Sequence, residues 1–333
     1  MKIAIVSDTW NNVNGVVTTL RATVAELEAR GHEVLVIEPS MFHSVSMWKY
    51  PEIKLSWNLW KVGPMIRSFD PDCIHIATEG PIGLAARWYC KVKSRAIPHN
   101  TSYHTKFPEY LKIQFGIPVQ LGHFFMKVFH KFSHRVLVTT PTMKQELSVK
   151  GFKNLVVWNR GVDRTVFHPA LRSHSQVKKP ILLCVSRASP EKGLDDFCSL
   201  QVPGTKILVG DGPYLHKLKQ KYTDVVFVGY KHGDQLAQYY ADADVFVFPS
   251  KTDTFGVVML EAMACGTPVA AYPVTGPIDV ISPGVNGVMD QDLNLAVQTC
   301  LVLNRHTVEQ SSQAYTWSAC TQVFLDNLVC IPK

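Results

Sequence analysis

Short apolar runs of β character alternate with helical stretches along this chain, and the whole alternation occurs twice. The first series holds KIAIVSD, HEVLVIEP, CIHIATEG, RAIPHNTSYH and RVLVTTP; the second holds ILLCVSR, TKILVGDG, VVFVGY, DVFVFPS, TPVAAYP and NGVM. Strand, helix, strand in succession makes a parallel sheet wrapped by helices. The pattern restarts after a polar, proline-containing connector, FHPALRSHSQVKKP. The reading is two doubly wound α/β domains joined near residues 164–180, and 333 residues are enough for two such cores. Ligands of these sheets bind at the carboxyl ends of strands, so the expected site is a cleft between the halves.

Other features narrow the class. With 46% hydrophobic and 18% charged residues and no low-complexity tract, the chain is expected to be ordered throughout. No apolar run approaches the ~20 residues needed to span a bilayer, and MKIAIVSDTW does not read as a signal peptide. Eight cysteines include no C-x-x-C pair, and several lie inside apolar runs. They are expected to be buried thiols of a reducing cytoplasm, not a disulfide framework or a zinc site. Neither G-x-G-x-x-G nor G-x-x-x-x-G-K-[ST] occurs, which argues against a dinucleotide dehydrogenase and a P-loop NTPase.

Charge is unevenly shared: residues 1–165 hold 21 Lys and Arg against 12 Asp and Glu, and the remainder holds 13 against 15. A basic first half suits an anionic partner, or is a solvated surface with a chance excess. No nucleic-acid-binding motif accompanies it, so nucleic acid is not expected as a partner.

The stretch SKTDTFGVVMLEAMACGTPVA at 250–270 sets Asp253 and Glu261 eight positions apart. Helical periodicity runs from Phe255 to Ala264, with Thr254 placed to cap it and Gly266-Thr-Pro closing it. Eight residues of helix rise about 12 Å. The paired carboxylates of a retaining glycosidase stand about 5–5.5 Å apart. Two grips on one long ligand therefore fit better than an acid/base couple. Between them, the amides of Phe255, Gly256 and Val257 at a helix start would seat an anion. Acid, phosphate seat, acid describes a hold on a sugar–diphosphate–nucleoside. The plainer alternative is an N-capping Asp253 and a surface Glu261.

This segment resembles the E-x7-E motif of retaining glycosyltransferase family 4, whose members have the GT-B fold. SDTWNNVNGVVTTL, SYHTKFPEYL, NRGVD, SRASPEKGLDDF, VGDGP and PVTGPIDVI match further family segments along the chain. The nearest resemblance is to bacterial enzymes that glycosylate lipids such as diacylglycerol, and to GDP-mannose-dependent alpha-mannosyltransferases. One departure stands out: Asp253 replaces the first Glu of the motif and reaches one methylene less.

The resemblance implies an acceptor-binding Rossmann-like domain over 1–165, a donor-binding one over 166–312, and a helix over 313–333 that returns to the first domain. It implies that Arg187 and Lys192 neutralise the donor diphosphate; the alternative is two exposed basic residues after a strand. Asp253 would hold the sugar and Glu261 the ribose. His104 would face the transferring sugar, Gly15 the phosphates, and Asp8 the acceptor. Each has a plainer alternative: a structural histidine, a flexible helix start and a turn cap. The implied reaction is front-face substitution with retention, in which the departing phosphate oxygen helps deprotonate the acceptor. No metal is then expected, and Asp242-Ala-Asp244 reads as capping, not as a metal-binding D-x-D.

A UDP-sugar is the favoured donor and a diacylglycerol-like lipid the favoured acceptor. GDP-mannose with a phosphoinositide or glycan acceptor, a sugar-nucleotide epimerase and a non-catalytic sugar-nucleotide sensor are the rivals. A cytoplasmic enzyme attached peripherally to the inner face of the cytoplasmic membrane is expected. The 46–61 stretch, with Trp48, Trp57 and Trp60 among Lys and Pro, reads as the acceptor or membrane loop. Leu121, Phe124, Phe125, Val128 and Phe132 have the spacing of a helix packed onto the sheet, so 121–132 is expected in the core.

Overall fold

The computed structural model describes residues 1–12, 14–47, 50–92, 97–173 and 177–332. Trp48 of the 46–61 stretch and residues 174–176 of the connector lie outside the described residues. The chain divides into two compact units, one of residues 1–159 with 317–333, the other of residues 160–316.

In the first unit the strands run β1 (Lys2–Val6), β2 (Glu33–Ile37), β3 (Ser44–Met47), β4 (Tyr50–Ser56), β5 (Cys73–Ile76), β6 (Asn100–Tyr103), β7 (Arg135–Val138) and β8 (Leu155–Val157). Six form a sheet of order β2-β1-β5-β6-β7-β8 with every pair parallel, while β3 and β4 form a separate antiparallel pair. Side chains alternate across the pleat. Ile3 and Ile5 pack on one face with Leu20, Leu27 and Trp158; Ala4 and Val6 pack on the other with Ile82, Ala86 and Phe129. Burial on both faces explains why these strands read as unbroken apolar runs.

The last helix, Trp317–Asp326, belongs to this unit. Its Phe324 and Cys320 are fully buried beside Leu20, Leu27 and Trp158, and the Arg30 guanidinium donates to Ser318 O at 2.7 Å and Gln322 Oε1 at 2.8 Å. Cys330 follows at 3.8 Å, Sγ to Sγ, from buried Cys73, and it is the one exposed cysteine among the eight.

Helix Val119–His130 overturns one expectation. The residues it buries are Gly122, Met126, Phe129 and His130. Leu121, Phe124, Val128 and Phe132 stand 61, 68, 43 and 51% exposed instead of packing on the sheet. Only Phe125 of the predicted stripe packs inward, against the Tyr103–Met126 cluster. Periodicity establishes a helix but cannot choose between two apolar stripes one residue apart. Polar partners make the choice: buried His130 pairs through Nδ1 with Thr101 Oγ1 at 2.8 Å and through Nε2 with Glu79 at 3.3 Å. The same rotation brings Gly122 against Pro108, where a Cβ would come within 2.8 Å of its Cα.

In the second unit, β9 (Ile181–Val185), β10 (Thr205–Val209), β11 (Val225–Gly229), β12 (Val245–Phe248), β13 (Val269–Ala271) and β14 (Gly287–Met289) form one parallel sheet of order β11-β10-β9-β12-β13-β14. Strand order reverses between β9 and β12, so their following loops open a crevice at the carboxyl edge. In the first unit the same reversal falls between β1 and β5. Among the described residues, no helix is long and apolar enough to cross a membrane.

Candidate functional site

The crevice of the second unit is built by the loops after β9 and β12. The first carries Ser186-Arg187-Ala188-Ser189 and a tight turn, Pro190–Lys192. It is stapled from within and from behind. Ser189 Oγ donates to buried Glu191 at 2.6 Å, and Thr252 Oγ1 donates to Glu191 O at 3.1 Å. Ser186 N bonds Val209 O at 3.0 Å and Ala188 N bonds Asp211 O at 2.9 Å, so the VGDGP segment holds both sides of half-buried Arg187.

The loop after β12 brings Asp253 back to the first. Lys192 Nζ lies 2.6 Å from Asp253 Oδ1, with both side chains mostly shielded from water. Two residues 61 positions apart in sequence thus share one charge-assisted hydrogen bond at the strand-order reversal.

The helix beyond this loop starts later than its periodicity predicts. It spans Val257–Ala264, its N-cap is Gly256 at φ 85°, and no side chain caps it. Thr254 is therefore two residues too early to be the cap. At Gly256 the backbone is left-handed, and a Cβ would press on the Phe248 ring at 2.8 Å, which explains a glycine there. Phe255 turns its ring into the core, and Met259 N closes the opening turn on Gly256 O at 3.0 Å. Of the three predicted anion-binding amides only that of Val257 is helical, and those of Phe255 and Gly256 belong to the turn before it. The cap residue, a glycine, offers no side chain to the amides of the first turn.

Glu261 is the fifth residue of that helix, so of the eight positions that separate it from Asp253 only the last five are helical. The Tyr240 hydroxyl donates to Glu261 Oε2 at 2.8 Å. Burial pushes the half-buried carboxyl up to about 7, and the Tyr240 bond only partly offsets this. Asp253 and Glu261 have different partners, Lys192 and Tyr240. Tyr240 had no sequence signal: it is one aromatic of an amphipathic helix, Gly233–Asp242, and its burial next to a carboxylate is a tertiary fact.

Asp242 and Asp244 have structural partners. Asp242 accepts from Ser173 N at 2.6 Å and from Gln238 at 3.0 Å. Asp244 pairs with Arg172 at 2.9 Å and Lys179 at 3.2 Å and accepts from Ile181 N at 2.8 Å. Both tie the connector to the sheet.

In the first unit Asp8 follows β1 and spans the strand-order reversal. Its Oδ1 accepts from Ile82 N at 2.7 Å, and Oδ2 from Thr78 Oγ1 at 2.9 Å and Gly83 N at 3.1 Å, capping helix Pro81–Val92. Burial pushes its pKa up to about 6 against the pull of these bonds. Asp8 also lines a cavity of about 310 Å³ with Trp10, Asn11, Asn12 and Glu38, so it caps and faces open space at once. Gly15 opens helix Gly15–Ala29, whose cap is Asn14, accepting from Val17 N. His104 follows β6, buried, with its ring 5.6 Å from that of Trp158.

Comparison with known proteins agrees with this architecture. Residues 13–166 match the family model described as Glycosyltransferase Family 4, and residues 179–303 the model described as Glycosyl transferases group 1. The chain is 30% identical to a GDP-mannose-dependent alpha-mannosyltransferase of Corynebacterium glutamicum, over 97% of this chain and 87% of the relative. It is 25% identical to an alpha-monoglucosyldiacylglycerol synthase of Streptococcus pneumoniae, over 93% of this chain and 81% of the relative. Among solved structures, Anabaena Alr3699/HepE in complex with UDP and glucose superposes with a TM-score of 0.74 at 20% identity, covering 98% of each chain.

Proposed function

The chain belongs to glycosyltransferase family 4 and has the GT-B fold, and from that premise we propose that it moves a hexose, with retention, from a UDP-sugar to a lipid acceptor such as diacylglycerol. It is a glycosyltransferase that uses a nucleotide sugar; sugar, base and acceptor are the proposed part. The observation that carries the reading is the Lys192–Asp253 pair, 2.6 Å apart at the strand-order reversal.

The chemistry follows from what each group can do. As the sugar–phosphate bond breaks, negative charge gathers on the departing diphosphate, and Lys192 and Arg187 stabilise that charge along with the amides at the start of helix Val257–Ala264. These cations make a metal unnecessary. Asp253, its charge already balanced by Lys192, accepts from the sugar hydroxyls, and Glu261 accepts from the ribose diol. The acceptor oxygen bonds to the anomeric carbon on the face the diphosphate leaves, and its proton passes to a diphosphate oxygen. His104 lines the sugar face. Gly15 leaves room for phosphate at a helix start, and Asp8 borders the acceptor cavity. The diacylglycerol acceptor is supported by likeness to the streptococcal synthase, and a lipid acceptor would be reached by peripheral attachment to the inner face of the cytoplasmic membrane.

A second reading, GDP-mannose as donor, is favoured by likeness to the corynebacterial mannosyltransferase. Calorimetric titration with UDP and with GDP, each with and without EDTA, decides between them. Tight UDP binding unaffected by EDTA is expected. Selective GDP binding selects the second reading, and binding of neither refutes both. A non-catalytic sensor would bind the nucleotide and transfer nothing to any acceptor.

A further inference from the structure

Within the first unit, helices Pro81–Val92 and Val119–His130 carry one continuous exposed surface with a definite chemistry. Leu84, Trp88 and Val92 recur at helical spacing on the first helix, with Trp88 64% exposed. Leu121, Phe124, Val128 and Phe132 form the outward stripe of the second. The two stripes are joined: Arg87 donates to Phe129 O at 2.7 Å and Val128 O at 2.6 Å, and its guanidinium lies 5.4 Å from the Phe132 ring centroid. Lys91 and Lys131 stand 5.2 and 5.7 Å from the same ring. Beyond Trp88 the surface continues into an open groove of about 490 Å³, floored by Gly63, Pro64 and Ala85, with Trp60, itself 68% exposed, and Arg67 along it.

We propose that this surface docks the protein on an anionic lipid bilayer, with Phe124, Phe132, Trp88 and Trp60 entering the headgroup–acyl boundary and Arg87, Lys91, Lys131 and Arg67 meeting lipid phosphates. Exposed aromatics ringed by cations of one sign suit an interface that is apolar below and anionic above. The first 165 residues carry the chain's whole excess of positive charge. Charge also argues against a second copy as the occupant, since two-fold pairing of this face would gather the Arg87, Lys91 and Lys131 charges of both copies in one interface. The proposal deepens the lipid-acceptor reading and rests on it for its purpose, but its test is independent of transfer.

The test is cosedimentation of the full chain with phosphatidylcholine vesicles, with and without phosphatidylglycerol. Adding phosphatidylglycerol should tighten binding at least about tenfold at low salt, an advantage that salt removes. Phe124→Ser with Phe132→Ser should weaken binding about tenfold or more, because the rings are the inserted surface. Lys91→Glu with Lys131→Glu should erase the preference for phosphatidylglycerol. All four side chains sit on a helix exterior or just past its end, and an unchanged circular-dichroism melt checks that the variants fold. Equal binding to both vesicles, or variants that bind like the parent, would overturn the proposal. So would a dimer in light scattering that Phe124→Ser dissolves, which assigns the face to a second copy. Nucleotide titration separates the two readings: vesicle binding without nucleotide binding removes the transferase reading alone, and the reverse removes the docking surface alone.

Discussion

Replacing Glu261 by Gln should stabilise the protein and weaken its hold on nucleotide together. The carboxyl rests at about 7 in the folded chain against an ordinary 4.5. Between these pH values the folded state keeps a proton that the unfolded state has released. Stability from this group is therefore fully present below 4.5 and is lost as pH rises through 7. The full loss corresponds to about 3 kcal/mol, an upper figure because Glu261 keeps some contact with water. Gln cannot ionise, and its carbonyl still accepts from the Tyr240 hydroxyl, so the variant escapes the loss while keeping the bond. Urea denaturation should show parent and variant alike near pH 4 and the variant ahead by roughly 2–3 kcal/mol near pH 9. A neutral amide, however, forfeits charge-assisted bonds to the ribose, each about 1.5–3 kcal/mol, so calorimetry should show nucleotide affinity about tenfold weaker or worse. Equal urea midpoints near pH 9 would refute the buried-carboxylate account. Undiminished affinity would refute the ribose contact.

Asp253→Ala should lower turnover about 100- to 1000-fold without weakening UDP binding, because it frees Lys192 for the diphosphate; a loss of nucleotide affinity in calorimetry would contradict the assignment of Asp253 to the sugar. Asp8→Ala should cost about 2–3 kcal/mol by stranding the amides of Ile82 and Gly83. That gap should narrow as pH rises towards about 6, where the parent must ionise its buried carboxyl, and denaturation at several pH values measures it. Phe324→Ala should destabilise the first unit by about 3–5 kcal/mol, read from urea midpoints, since its ring is fully buried under the last helix. In the folded protein a thiol reagent should titrate one cysteine, Cys330, of the eight, and all eight after denaturation; several fast thiols would contradict the burial of the others.

Much of the architecture was legible because it rests on local periodicity. The apolar runs that became β1, β5, β9, β10, β12 and β13 are buried on both faces, and such strands advertise themselves by composition alone. The strands without that signal are not legible in the sequence. β8 is a three-residue edge with each residue half-buried, and β3 and β4 pair only with each other. Helix Pro81–Val92 likewise takes its start from outside its own segment, from Asp8 at the end of β1.

Local pattern sets which residue types gather at each strand end, and with them the doubly wound fold and a crevice rich in charged side chains. Tertiary structure alone decided partners and rotation. It joined Lys192 to Asp253, set Tyr240 under Glu261, began the helix at Val257 instead of Phe255, and turned Phe124 and Phe132 outward. The reason is one of range. Periodicity and propensity act over a few neighbouring residues, whereas a carboxylate's partner, its loss of water and the face a helix buries depend on chain segments tens of residues away.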